Sequence, residues 1–63
     1  MADNNLPFRI EQWDAADQGV ERLIAASDSL VVARAAFAAA STEYPKARLT
    51  LRQQARVIAK HDP

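Results

Sequence analysis

His61 is the only histidine of the chain, no cysteine is present, and the three serines are Ser27, Ser29 and Ser41. Nucleophilic catalysis needs a nucleophile, a base and an orienting group within hydrogen-bond reach. The serines read as capping or helix-surface residues instead, and His61 stands near the C-terminal end of the sequence. Asp14 with Asp17, or Glu11 with Glu21, supply paired carboxylates of the kind that ligate a metal, but in turn and strand-face positions they read as solvated charges. A single glycine, Gly19, rules out a glycine-rich phosphate loop. A chain this small seldom encloses a pocket of the roughly 300–1,000 Å3 that ligands occupy. No catalytic, cofactor or metal site is therefore expected, and the chain is not expected to be an enzyme.

The residues that invite a binding reading are basic and aromatic. Residues 1–31 carry six acids and two bases, and residues 32–63 carry six bases and two acids, so the halves bear −4 and +4 within a net charge of zero. Lys46, Arg48, Arg52, Arg56 and Lys60 fall in a fifteen-residue stretch without an acid. Arg48, Arg52, Arg56 and Lys60 recur every four residues, and beside an exposed Trp13 they could follow a phosphate backbone while the indole stacks on bases. Nucleic-acid binders are usually basic overall, whereas the pI here is about 6.5. Cross-strand neutralisation, with Arg48 and Arg52 opposite Glu11 and Glu21, is the simpler expectation.

These residues must be positioned by short elements. Phe8 and Ile10 alternate with Arg9 and Glu11 after Pro7, which predicts a strand over 7–14. Gly19 is expected to take positive φ in a hairpin loop, with a second strand over 19–27. Pairing Asp14 with Val20 and Ile10 with Ile24 puts Phe8, Ile10, Val20, Ile24 and Ala26 on one face. Arg9, Glu11, Trp13, Glu21, Leu23 and Ala25 fall on the other. Ser27-Asp28-Ser29 offers N-caps for a helix over 29–43, which Tyr44-Pro45 stops. Its inward stripe is Leu30, Ala33, Phe37, Ala40 and Tyr44, with Phe37 as the main anchor.

Residues 46–60 read two ways. Leu49 and Leu51 alternate with Arg48, Thr50 and Arg52 as in a strand. Thr50 and Gln53 also have capping-box spacing, and Leu51, Ala55 and Ile58 have helical spacing. A hairpin and a helix need a third strand to be independently stable, which favours a strand over 47–52, with Val57-Ile58 continuing it past a break at Gln53-Gln54. The expected fold is α+β, a ββαβ unit with a three-stranded antiparallel sheet in order 2-1-3 and one helix on one face. Residues 1–6 and 60–63 are expected to be mobile.

Sixty-three residues make one small domain, of a size that buries about 60% of its unfolded surface. Hydrophobic residues are 49%, but many are alanine, and only 17 larger apolar side chains remain. No disulfide framework is possible, no run approaches the roughly 20 apolar residues of a membrane span, and the N-terminus lacks signal-peptide character. A cytoplasmic protein is expected. Trp13 and Leu23 have no partner within one copy, so they are expected to contact a protein, with Arg52 against the indole or paired with Glu11. The expected function is a non-catalytic protein-interaction or regulatory module. The partner is a second copy in a homodimer or another protein, with no membrane; nucleic acid bound by the basic C-terminal segment is the alternative.

Overall fold

A computed structural model describes residues 6–63, so for residues 1–5 the expected fraying lies outside what is described. Strands β1 (Phe8–Trp13) and β2 (Val20–Ser27) are followed by helix α1 (Leu30–Glu43) and strands β3 (Arg48–Gln53) and β4 (Arg56–His61). The protein is α+β, with one antiparallel sheet in the order β2-β1-β3-β4 and α1 over β1, β2 and β3 on one face. Among the described residues no helix is long and apolar enough to cross a membrane.

The sheet thus has four strands, not three. Val57 and Ile58 do not continue β3; the chain reverses at Gln54-Ala55 and they return in β4. Arg56 lies opposite Gln53, leaving a two-residue loop in which Gln54 has φ 53°. Positive φ at the first loop residue alone is the φ pattern of a type II′ turn, whose usual occupant is glycine. A strand also replaces the helical reading of 50–60, and Lys60 and His61 belong to it rather than to a tail. The reason is tertiary: as a strand, β3 buries Leu49 and Leu51 completely beside Ile10.

The first hairpin loop departs in the same way. Asp17, with φ 60°, takes the left-handed conformation expected of Gly19. Asp14 organises the loop, its carbonyl accepting from the Asp17 N–H and its carboxylate from the Gln18 N–H.

Both edge strands carry bulges. Phe8 lies opposite Ser27, Ile10 opposite Ala25, Glu11 opposite Leu23 and Trp13 opposite Val20, so Ile24 and Glu21 are the extra residues of β2. The pairing agrees with simple parity at Gln12 and Arg22 and slips by one at either end. This places Ala25, with Ile24, against the core, while Ala26 and Val20 move to the face away from the helix. In β4 the bulge is Ile58, which with Ala59 packs against the same core. Arg22-Leu-Ile-Ala25 and Arg56-Val-Ile-Ala59 therefore repeat one another in residue type and in placement. The two hairpins are approximate copies meeting along β1 and β3.

Helix α1 starts at the N-cap Ser29, whose hydroxyl accepts from the Val32 N–H, while Ser27 caps Ser29 in turn. It ends at Tyr44, which Pro45 keeps out of the helical region at φ −125° and ψ 66°. Ala33 and Ala40 are its buried residues; Leu30, Ala36 and Phe37 pack beside them half-buried. Phe37 is thus a flank of the helix contact, and the alanines allow the close approach. Tyr44 is exposed under the Arg22 guanidinium, 4.8 Å from the ring centre.

Candidate interaction surface

The face away from α1 follows from the pairing, because residues opposite one another share a face. It consists of three rows crossing the sheet. Ala26, Arg9, Arg52 and Val57 form the first, Leu23, Glu11, Thr50 and Lys60 the second, and Val20, Trp13 and Arg48 the third.

Its centre is Glu11. The residue is only 3% exposed although α1 packs on the opposite side of the sheet. A buried carboxylate must be paired, because its loss of hydration is otherwise uncompensated. Arg52 Nε donates to one Glu11 oxygen at 2.7 Å and Arg9 Nε to the other at 3.3 Å. Arg9 and Arg52 lie directly opposite each other, a like-charge pair that would be destabilising without the acid beside them.

Trp13 is fixed just as closely. Its indole reaches across β1 to β3, where Nε1 donates to Thr50 Oγ1 at 2.9 Å. Thr50 is buried at 6% exposure, and the Arg52 guanidinium stands 5.5 Å from the centre of the indole. Arg52 therefore makes both contacts open to it, the ion pair with Glu11 and the cation–π contact with Trp13. Leu23, 47% exposed, lies on the other side of Glu11. Val20 and Val57 add exposed apolar surface, and Trp13, Asp17, Thr50, Val57 and Lys60 line a concavity of about 480 Å3.

Trp13, Leu23 and Arg52 thus share this face. Of the basic residues considered for nucleic acid, Arg48, Arg52 and Lys60 are also on it, but Arg56 is not. Arg56 lies opposite Gln53, itself opposite Phe8, on the helix side. Arg48 pairs with Asp62 at 3.4 Å rather than with Glu21. Glu21 instead accepts from Gln12, whose carbonyl accepts from Arg22 on the helix side of the sheet. Arg9, Glu11 and Thr50 complete the arrangement. The alternation of β1 points to the first two. Thr50's role depends on how far an indole reaches across a strand, which spacing does not reveal.

The remaining polar residues are dispersed. His61 Nε2 contacts the Pro45 carbonyl oxygen at 3.0 Å, Ser27 and Ser29 cap the helix, and Asp14 is engaged in its loop. Among the described residues no three of His, Asp and Glu gather as metal ligands. A second concavity, about 400 Å3, opens on the helix side between Gln12, Arg22, Tyr44, Pro45, Lys46 and Ala47.

Compared with known proteins, the chain matches no family model, no curated protein sequence and no solved structure.

Proposed function

We propose that this protein is a non-catalytic interaction module, and that the outer sheet face, centred on Trp13 and Arg52 with Leu23 beside Glu11, is its protein contact. The observation that carries this reading is the Trp13–Arg52 pair, each member hydrogen-bonded to a buried neighbour. Tryptophan and arginine are the residues most enriched where binding energy concentrates. Here both are held before any partner arrives, by Thr50 and by Glu11, which lowers the ordering cost of binding. A buried ion pair is weak evidence for stability, so a positioning role explains Glu11 better than a stabilising one. Such a module would act in the cytoplasm, bound to another protein or to a second copy of itself.

Nucleic-acid binding is the weaker alternative. A stacking platform needs an open aromatic face, and Arg52 already stands over the indole. Arg52 and Arg48 are both paired with acids, and Arg56 faces away.

Replacing Trp13 with alanine tests the proposal. Partner capture from native lysate and mass measured across a concentration series both report on the contact. Trp13→Ala is expected to weaken the contact by about 2 kcal/mol or more, the level that marks a hot spot, while the fold persists. Unchanged capture and unchanged mass in the variant would remove the outer face from consideration.

A further inference from the structure

Arg9 and Arg52 both reach Glu11 through Nε. Among the described residues, no hydrogen bond involves the Nη groups of either guanidinium. The two side chains are each anchored through Nε and remain 34% and 28% exposed, so each keeps accessible surface and unused donors. Two guanidiniums share one carboxylate, which leaves the triad with an excess positive charge at the centre of the face. A planar carboxylate is the group that two guanidinium edges receive best.

We infer that the outer face binds an acidic partner protein, one of whose carboxylate side chains bridges the Nη groups of Arg9 and Arg52. The inference rests on the reading of this face as a protein contact and adds the partner's chemistry. Lys60, exposed and without an ion pair among the described residues, lies in the neighbouring row across Thr50. Along an extended segment the side chains of one face are spaced about 6.8 Å apart. Acids at alternate positions of such a segment would therefore meet the arginine pair and then approach Lys60. The exposed Val57 and the concavity beside Trp13 receive apolar groups between them.

Charge also selects among occupants. A second copy laid face to face brings Arg9, Arg48, Arg52 and Lys60 against the same four cations. The acids it offers are Glu11, already spent, and Asp17 and Asp62 at the margin. A nucleic-acid strand needs a continuous cationic track, and here Asp17 and the Asp62–Arg48 pair interrupt it. A short acidic protein segment needs only the arginine pair and Lys60, not a continuous track, and can leave Asp17 and Asp62 to either side.

The probe is a capped peptide of alternating glutamate and threonine. Its glutamine counterpart and a short single-stranded oligothymidylate serve as comparators, and the readout is emission of Trp13, the sole tryptophan. The glutamate peptide is expected to give a saturable change at a concentration at least about tenfold below that of the glutamine peptide, as charge-assisted paired hydrogen bonds imply. Arg9→Lys and Arg52→Lys keep the charge beside Glu11 but lose the fork. Each is expected to weaken binding about fivefold or more, with the unfolding midpoint confirming an intact fold, whereas Arg34→Gln, exposed on α1 on the opposite side of the sheet, leaves binding unchanged. Equal binding of the glutamine peptide, or no effect of either lysine variant, overturns the inference. So does tighter binding of the oligothymidylate. If the glutamate peptide fails while Trp13→Ala still abolishes partner capture, the carboxylate inference falls and the contact face stands. If Trp13→Ala changes nothing either, both fall.

Discussion

The two faces of the sheet both contain buried residues, but they are buried by different means. On the helix side Ile10, Leu49 and Leu51 lie beneath α1 with Ala33 and Ala40, an apolar cluster that a second layer of structure covers. On the outer side Glu11 and Thr50 are nearly as inaccessible, and among the described residues the side chains bonded to them are Trp13 and two arginines. Ile10, Leu49 and Leu51 each contribute about 1.5–3 kcal/mol through burial. The outer cluster gains much less, because its charges lose hydration as they gain each other. One face stabilises the fold, and the other uses part of that stability to hold an arginine and a tryptophan in place.

The largest effect should therefore come from the helix side. Leu51→Ala removes a fully buried side chain from the central pair Ile10–Leu51 and is expected to cost ~2–5 kcal/mol. In so small a domain that approaches the whole folding free energy, typically about 5–15 kcal/mol. Urea unfolding followed by circular dichroism measures it. A cost below about 1 kcal/mol would show that the helix side does not carry the stability, and the contrast between the faces would break there.

Glu11→Gln should come next. The variant keeps size and one acceptor but leaves Arg9 and Arg52 opposed without an acid between them. A buried pair broken on one side loses about 3–5 kcal/mol. Both arginines are about one-third exposed, so solvent screening reduces this, and ~2 kcal/mol is the expected loss. Added salt should restore part of it by screening the two guanidiniums from each other. Arg9→Gln in the Glu11→Gln background should restore part as well, because it removes one of the opposed charges. Failure of both restorations would show that Glu11 matters for its packing alone, and the outer face would then resemble the inner one.

The helix side was the more legible of the two in the sequence. Alternation in β1 and β3, the apolar run after Gly19 that becomes β2, and the alanine-rich helix with its serine cap and proline stop are local signals, and α1 and three strands follow from them. β4 was obscured because Gln54-Ala55 lacks the glycine or asparagine that favours a tight reversal, and the left-handed conformation fell to Gln54 instead. The same displacement put Asp17 where Gly19 was expected. A readable sign of β4 was nonetheless present in the repetition of Arg22-Leu-Ile-Ala25 as Arg56-Val-Ile-Ala59. Bulges shifted Ala25, Ala26 and Val20 between faces, because the edge strands have room for an extra residue that strict parity does not include. On the outer face, alternation suffices to bring Arg9, Glu11 and Trp13 together. The burial of Thr50 does not follow from spacing, since it arises from one long side chain lying across another strand.

The smallest of these effects isolates that last contact. Trp13→Phe retains an aromatic ring near Arg52 and removes the N–H that reaches Thr50 at 2.9 Å. A single neutral hydrogen bond contributes about 0.5–1.5 kcal/mol, and Thr50, 6% exposed, would be left with a hydroxyl poorly placed to regain its partner from water. The expected loss is therefore ~1 kcal/mol, read from the urea midpoint at an unchanged slope. Thr50→Val tests the same bond from the other side, since it replaces the acceptor with a methyl of similar shape and strands the indole N–H. If the two changes act through one bond, the double variant costs clearly less than the sum of the singles. Additive losses would mean that Trp13 and Thr50 are stabilised separately. The indole would then be free to rotate off the sheet, and the outer face would lose the preorganisation that distinguishes it from an ordinary solvated surface.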